Sequence, residues 1–299
     1  MNKKIKSGFA AIIGMPNVGK STLLNTLVGQ KIAIISDKPQ TTRNKILAIY
    51  NDDESQIVFT DTPGIHKPHN QLGEVMVKAA KDSMSDMDVL VMVVDATRPI
   101  QETERTIAEN IKKLGARSIL VMNKVDITKK DALLPLIADY SNLNEFDAIV
   151  PVSAKTADGV ELLINEIKQN LPEGPQYYYE DMVTDQPEKQ IAAEIIREKM
   201  LWLLDKEVPH GIAIEIEKMQ EKEKITAINA VIYCEKDSHK GIIIGKNGEM
   251  LKKIGTLARP DIEKMLDKKV YLELWVRVKK DWRNNNYLLK NFGFVQNTE

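Results

Sequence analysis

Over roughly the first 170 residues, short apolar runs alternate with stretches whose apolar residues recur at helical spacing. The runs FAAII, KILAIY, QIVFT, DVLVMVV, RSILVM and AIVPV are strand-like, and several are apolar throughout rather than alternating. Strands buried on both faces of a sheet have this pattern, because neither face is left for polar side chains. KILAIY and QIVFT are separated only by a polar turn, so one antiparallel pair is expected in an otherwise parallel sheet. The expected class is α/β, with helices on both faces of the sheet.

The segment LPEGPQYYYEDMVTDQPEKQ that follows carries Pro172, Pro175 and Pro187 and has no periodicity, which predicts a linker. Its Tyr177, Tyr178 and Tyr179 are read as docking on a domain surface, with stacking on bases as the alternative. Beyond it the pattern changes. QIAAEIIREKMLWLLDKE is apolar at helical spacing, GIAIEIEKMQEKEKITAINAVIYCE alternates as two strands around a charged turn, and VYLELWVRV alternates again. A smaller α+β domain with an antiparallel or mixed sheet is expected. The chain is thus divided into a first domain over 1–176, a linker over 177–189 and a second domain over 190–299, with Leu171 to Gln190 as the expected hinge. Trp202 and Trp275 are read as core and Trp282 as the more open tryptophan.

Composition adds constraints. The chain has 299 residues, 43% hydrophobic and 28% charged, ordinary values for globular domains. Its one cysteine, Cys234, excludes an internal disulfide, fits a reducing cytoplasm and is read as a small buried side chain rather than a reactive thiol. The basic start MNKKIK precedes too short an apolar run for a secretory signal, and no segment approaches the ~20 apolar residues of a membrane span. A cytoplasmic location is expected, with any membrane contact peripheral, at the inner face. The formal charge of −1 hides an asymmetry: Lys236 to Lys290 contains 14 Lys and Arg against 7 Asp and Glu. That basic window encloses IIIGKNGEM, whose Gly-Lys-Asn-Gly core is either a phosphate-gripping loop or a turn between two helices. A polyanionic partner would suit the charge.

The chemistry concentrates in four short segments. GMPNVGKS follows the first strand and opens a helix, the setting required of a P-loop. Its loop amides and helix N-terminus favour an anion. Lys20 would reach the β- and γ-phosphates and the Ser21 hydroxyl would ligate Mg²⁺. DTPG places Asp61 at the carboxyl end of the third strand, where a carboxylate can hold Mg²⁺ through water and the Gly64 N–H can report a γ-phosphate. NKVD selects the base: guanine offers N1–H and an exocyclic amine on one edge, two donors that the Asp126 carboxylate accepts together, and adenine has no such pair. Lys124 would lie along the base plane, and Asn123 would brace it. The SAK segment would bring the Ala154 N–H to guanine O6, with Ser153 supporting the turn. The nucleotide-binding set is Gly14, Met15, Pro16, Asn17, Val18, Gly19, Lys20, Ser21, Thr22, Asp61, Thr62, Pro63, Gly64, Ile65, Asn123, Lys124, Asp126, Ser153 and Ala154.

The ordered set GMPNVGKS, QTTRN, DTPG, NKVD and SAK resembles the Ras-like GTPase superfamily. PQTTRN, DTPGIHKPHNQLGE and LPEGPQYYYEDMVTDQP narrow the likeness to the Era family of bacterial ribosome-assembly GTPases, over essentially the whole chain. The resemblance implies a P-loop GTPase domain followed by a KH-type RNA-binding domain. It makes Thr42 the switch threonine that closes on Mg²⁺ and the γ-phosphate, with Thr41 the second choice, so that the metal set is Ser21, Thr42 and Asp61. The residues expected to act in hydrolysis are Lys20, Thr42, Asp61 and Gly64. Ile65 stands where Ras-type enzymes carry a water-orienting glutamine, so slow intrinsic GTP hydrolysis is expected. Gly245, Lys246, Asn247, Gly248 and Ile244 would grip unpaired RNA over a floor of Ile242, Ile243 and Ile244. The implied partner is the 3′ end of small-subunit (16S) ribosomal RNA in a maturing small subunit. The alternative function is a signalling GTPase whose second domain binds a protein or a membrane surface.

Overall fold

The computed structural model describes residues 5–38, 41–65, 68, 70–84 and 87–294. Lys3 and Lys4 of the basic flank, and Gln40, His66, Lys67 and His69 of the family-like motifs, lie outside them. The described residues form two compact units. The first draws on 5–33, 42–65, 76–84 and 87–185, the second on 34–38, 41, 68, 70–75 and 186–294.

All six apolar runs of the first unit become strands: β1 (Ile5–Ile13), β2 (Ile46–Asn51), β3 (Ser55–Asp61), β4 (Val89–Asp95), β5 (Ser118–Asn123) and β6 (Ala148–Val152). Their order is β2-β3-β1-β4-β5-β6, antiparallel between β2 and β3 and parallel between the other neighbours. The antiparallel connection is held by Asp52, whose Oδ1 accepts from the N–H groups of Glu54 (3.0 Å) and Ser55 (2.8 Å). The intervening helices are α1 (Lys20–Val28), α2 (Gln71–Asp82), α3 (Glu102–Leu114), α4 (Lys130–Ser141) and α5 (Val160–Asn170).

β4 explains the uniformly apolar runs. Val89, Val91 and Val93 enter a core shared with Leu23 and Leu27 of α1 and Leu163 and Ile167 of α5. Leu90, Met92 and Val94 enter another shared with Ile107 and Ile111 of α3 and Leu136 and Tyr140 of α4. Both faces are covered, so alternation has no polar phase.

The stretch read as linker is tied to the first unit over most of its length. A short strand β7 (Glu173–Gly174) pairs antiparallel with the start of β1. The buried Gln56 accepts through Oε1 from the N–H groups of Tyr177 (2.7 Å) and Tyr178 (3.0 Å). Ile49 N–H donates to Val183 O at 2.8 Å, and Thr184 Oγ1 donates to Leu47 O at 2.6 Å. The reason is the edge strand: β2 presents backbone groups that need partners, and the proline-marked segment supplies them. Tyr177 docks beside Phe9, ring centroids 4.9 Å apart, while Tyr179 is exposed. Asp185, Gln186 and Pro187 separate Thr184 from the next helix.

The second unit contains α6 (Glu188–Leu203), β8 (Ile212–Glu221), β9 (Ile225–Cys234), α7 (Asp237–Ile244), α8 (Glu249–Leu266), β10 (Lys269–Val278) and α9 (Asn286–Asn291). Its sheet, β10-β9-β8, is mixed: β8 and β9 are antiparallel, β9 and β10 parallel. Ile196 and Met200 of α6 and Ile254, Ala258 and Ile262 of α8 cover one sheet face, against Ile228, Ala230, Ile232, Val270 and Val276. Cys234 is buried, and burial pushes its thiol up, which suits the inert reading.

The tryptophans reverse the sequence expectation. Trp282 is fully buried, whereas Trp275 and Trp202 are 55% and 52% exposed. Trp275 shares a strand phase with the exposed Tyr271, one residue out of phase with the helix-facing Val270 and Val276. Trp282 lies in a charged sequence but donates through Nε1 to Gly211 O (3.0 Å), which satisfies its one polar atom, and its ring stacks on Phe294 and meets Phe292 edge-on. No helix among the described residues is long and apolar enough to cross a membrane.

Candidate nucleotide and nucleic-acid sites

The loop Gly14–Gly19 joins β1 to α1. Gly19 caps the helix in the left-handed region (φ 99°) and no side chain caps it, which leaves the first-turn amides for an anion. A Cβ at Gly19 would fall 2.2 Å from Asn123 Nδ2, which itself donates to Val18 O at 2.8 Å. A side chain there would therefore break the brace between the phosphate loop and the base-reading turn. Lys20 is buried and folds over its own loop, donating to Met15 O (3.0 Å) and Gly14 O (3.2 Å). Pro16 packs against Gly64, whose position tolerates no Cβ, and Ile65 N–H donates to Gly14 O at 3.3 Å. Thr62 fixes the second loop by donating to Ile12 O at 3.0 Å.

Ser21, Thr42 and Asp61 come together. Ser21 Oγ donates to Asp61 Oδ2 at 2.8 Å and lies 2.8 Å from Thr42 Oγ1, and Thr42 Oγ1 reaches Asp61 Oδ2 at 3.4 Å. Thr41 is turned elsewhere, its hydroxyl donating to Lys38 O at 2.6 Å. Burial pushes the Asp61 carboxyl up, against the pull of Lys20, Ser21 and Thr42. Burial likewise pulls Lys20 down, opposed by Asp61. The second carboxylate oxygen, Asp61 Oδ1, is buried and accepts no hydrogen bond among the described residues. An orphaned anionic oxygen beside two hydroxyls fits Mg²⁺, which takes oxygen ligands, keeps several waters and uses only one or two carboxylates. Among the described residues no group of three His, Cys, Asp or Glu side chains could hold a metal instead.

The base-reading turn follows β5. Lys124 is left-handed (φ 69°), and its Nζ donates to Asp95 Oδ2 (2.6 Å) and Asn17 O (2.9 Å). Asp126 is exposed in the short turn Val125–Ile127 and makes no hydrogen bond among the described residues. Ser153 Oγ accepts from Thr156 N–H at 3.2 Å, supporting its turn. The Ala154 N–H, expected at guanine O6, donates to Asn123 Oδ1 at 3.0 Å and so is engaged within the protein.

Two further residues shape the site without a sequence signal. Thr26 Oγ1 donates to Ala154 O at 2.8 Å, linking α1 to the SAK turn. Asn25 Oδ1 accepts from Ile32 N–H (2.9 Å) and Ala33 N–H (2.8 Å), pinning the chain where it leaves α1 for the threonine segment. Both are single polar residues on an amphipathic helix, which the sequence alone gives no reason to single out.

In the second unit, the glycine loop joins α7 to α8. Gly245 (φ 74°) could not carry a side chain: a Cβ would meet Met250 Cβ at 2.7 Å and Met250 N at 2.9 Å. A Cβ at Gly248 would meet nothing within 4 Å. Lys246 and Asn247 are exposed, and Asn247 adopts the left-handed region that asparagine tolerates. The isoleucine floor is smaller than expected. Ile242 is exposed and Ile244 half-buried, but Ile243 is fully buried in the core with Ile254 and Ile232, because the helix turns it toward the sheet.

Comparison with known proteins assigns a family to each part of the chain. Residues 9–124 match the family described as 50S ribosome-binding GTPase, and residues 207–283 match the KH domain family. The chain is 53% identical over 293 residues to GTPase Era of Ruminiclostridium cellulolyticum, covering 98% of each. It is 53% identical over 292 residues to GTPase Era of Clostridioides difficile, covering 97% of this chain and 98% of the relative. A crystal structure of Era in complex with MgGDPNP and nucleotides 1506–1542 of 16S ribosomal RNA superposes with a TM-score of 0.94 at 42% identity, over 98% of this chain and 100% of that one. An Aquifex aeolicus Era variant bound to GDP and AlF₄⁻ gives the same TM-score, identity and coverage.

Proposed function

The chain belongs to the Era family of GTPases, and on that premise we propose that it is a GTP-hydrolysing switch that binds the 3′ region of small-subunit ribosomal RNA during small-subunit maturation in the cytoplasm. The observation that carries the RNA reading is the α7–α8 loop: Ile242, Lys246 and Asn247 are exposed around a Gly248 with open space beside its Cα, inside the basic window. Backbone phosphates can approach that loop closely, and the Ile242 side chain offers an apolar surface to unpaired bases.

In the nucleotide site, the uncapped amides after Gly19 and the Lys20 ammonium receive the phosphates. Ser21, Thr42 and Asp61 would hold Mg²⁺, which would supply positive charge to offset that of the phosphates. The Gly64 region, anchored to the phosphate loop through Ile65 N–H, senses the γ-phosphate. The Ile65 side chain has no hydrogen-bonding group with which to orient water, so these residues act through charge and position. Intrinsic single-turnover hydrolysis of GTP by the isolated protein is expected below ~10⁻² s⁻¹. Ser21→Ala should raise the Mg²⁺ concentration needed for half-maximal hydrolysis about ten-fold or more; an unchanged Mg²⁺ titration would remove Ser21 from the metal site.

The function is tested by binding an oligoribonucleotide of the small-subunit 3′ end to the full-length protein with GDP or a non-hydrolysable GTP analogue. The expected result is submicromolar binding that differs at least ~5-fold between the nucleotides, the lower end of ordinary coupling energies. Equal affinity in both states would refute the switch. Equal affinity for an unrelated oligonucleotide would refute the assignment of the RNA.

A further inference from the structure

We infer that Asp95 is a positioning residue for guanine recognition, holding the Lys124 ammonium so that the lysine stem lies as a fixed floor for the base. This rests on the reading of Asn123–Asp126 as the guanine site. Asp95 ends β4 and stands in register with Asn123 on β5, so it flanks the base-reading turn. Its Oδ2 accepts from Lys124 Nζ at 2.6 Å, while its Oδ1 accepts from Thr97 N–H (3.0 Å) and Thr97 Oγ1 (2.6 Å). The carboxylate is thus immobilised by its own turn before it engages the lysine.

The pair is unlike a solvated surface ion pair, with side chains only 32% exposed for Lys124 and 11% for Asp95. Burial works against the charged form of Asp95, but hydrogen bonds from Lys124 and Thr97 outweigh it and keep the carboxyl below its ordinary range.

The lysine is held at both ends. Its Cα sits in the turn that carries Asp126, and its Nζ also donates to Asn17 O of the phosphate loop at 2.9 Å. The stem therefore runs between the base-reading turn and the phosphate loop, the interval a nucleotide must bridge. An unrestrained lysine loses substantial rotamer freedom when a base presses on it, and prior anchoring removes that loss. Asp95 also offsets the ammonium charge, leaving methylenes as the surface the base meets.

The test is a double-mutant cycle on GDP affinity in the full-length protein, using Asp95→Asn, Lys124→Ala and the double variant. Asp95→Asn is expected to weaken GDP about ten-fold, the scale of one hydrogen bond to a charged group. In the Lys124→Ala background the same change should alter GDP affinity less than two-fold. In the Asp126→Asn background it should weaken XDP by the same factor as it weakens GDP in the parent, because a floor is indifferent to which edge is read. Should Asp95→Asn fail to fold, Thr97→Val, which removes one restraint on Asp95, should give a two- to three-fold loss that disappears with Lys124→Ala. GDP affinity unchanged in Asp95→Asn, or a loss that persists without Lys124, would overturn the inference. Failure of the parent protein to discriminate GDP from ADP would instead overturn the reading of the guanine site.

Discussion

Replacing Asp126 by asparagine should lower GTP affinity by at least ~10³-fold and make XTP the preferred nucleotide. The carboxylate offers two acceptors to the guanine N1–H and amine. The asparagine amide offers one acceptor and one donor, and the donor faces the guanine amine. Xanthine carries a carbonyl there, so its edge matches the amide. The effect is large because a mismatched polar pair in a desolvated pocket leaves both groups unpaired, a penalty of several kcal/mol rather than the loss of one bond. Asp126 is exposed and makes no hydrogen bond among the described residues, so its replacement should change folding stability by less than about 0.5 kcal/mol. Equilibrium binding of GTP and XTP, with thermal unfolding as control, checks both claims. GTP affinity that stays within ten-fold of the parent would show that the turn does not read guanine.

Gly248→Asp should reduce affinity for the small-subunit 3′ oligonucleotide at least ~100-fold, with GTP hydrolysis unchanged. The aspartate would put negative charge and bulk where the RNA backbone must approach closely. A Cβ at Gly248 meets nothing within 4 Å, so the loss reports on the ligand rather than on the protein. Its left-handed conformation (φ 81°) adds a strain of about 1 kcal/mol, read as a drop of a few degrees in Tm. Gly245 makes a poorer test: a Cβ there collides with Met250, and Gly245→Asp would weaken RNA binding by distorting the α7–α8 turn. RNA affinity of Gly248→Asp within two-fold of the parent, with the same salt dependence, would exclude the loop as the RNA grip.

The elements of the first unit were legible because its sheet is covered on both faces, and a strand such as β4 with no solvent-facing phase leaves an unbroken apolar run. The nucleotide loops were legible for a related reason. Phosphate and metal chemistry needs particular residue types at fixed spacing, contributed mostly by contiguous segments at strand ends. Ser21, Asp61, Asn123 and Lys124 all lie where their strands or helices begin or finish. Individual exposure was less legible. Trp275 and Trp282 exchanged their expected environments because strand phase and a distant carbonyl, Gly211 O, decide burial, and neither is a property of the surrounding composition.

By itself, then, the sequence determined the class of both units, the order of the nucleotide segments and the base they select, since periodicity and motif spacing are local properties of the chain. Tertiary structure alone decided which glycine of the α7–α8 loop has room beside it, and that Asp95 meets Lys124 and Thr26 meets Ala154. Each of those outcomes depends on distances between atoms far apart in sequence, such as Asp95 and Lys124 at 2.6 Å, and such distances are set only when the sheet brings the strand ends together.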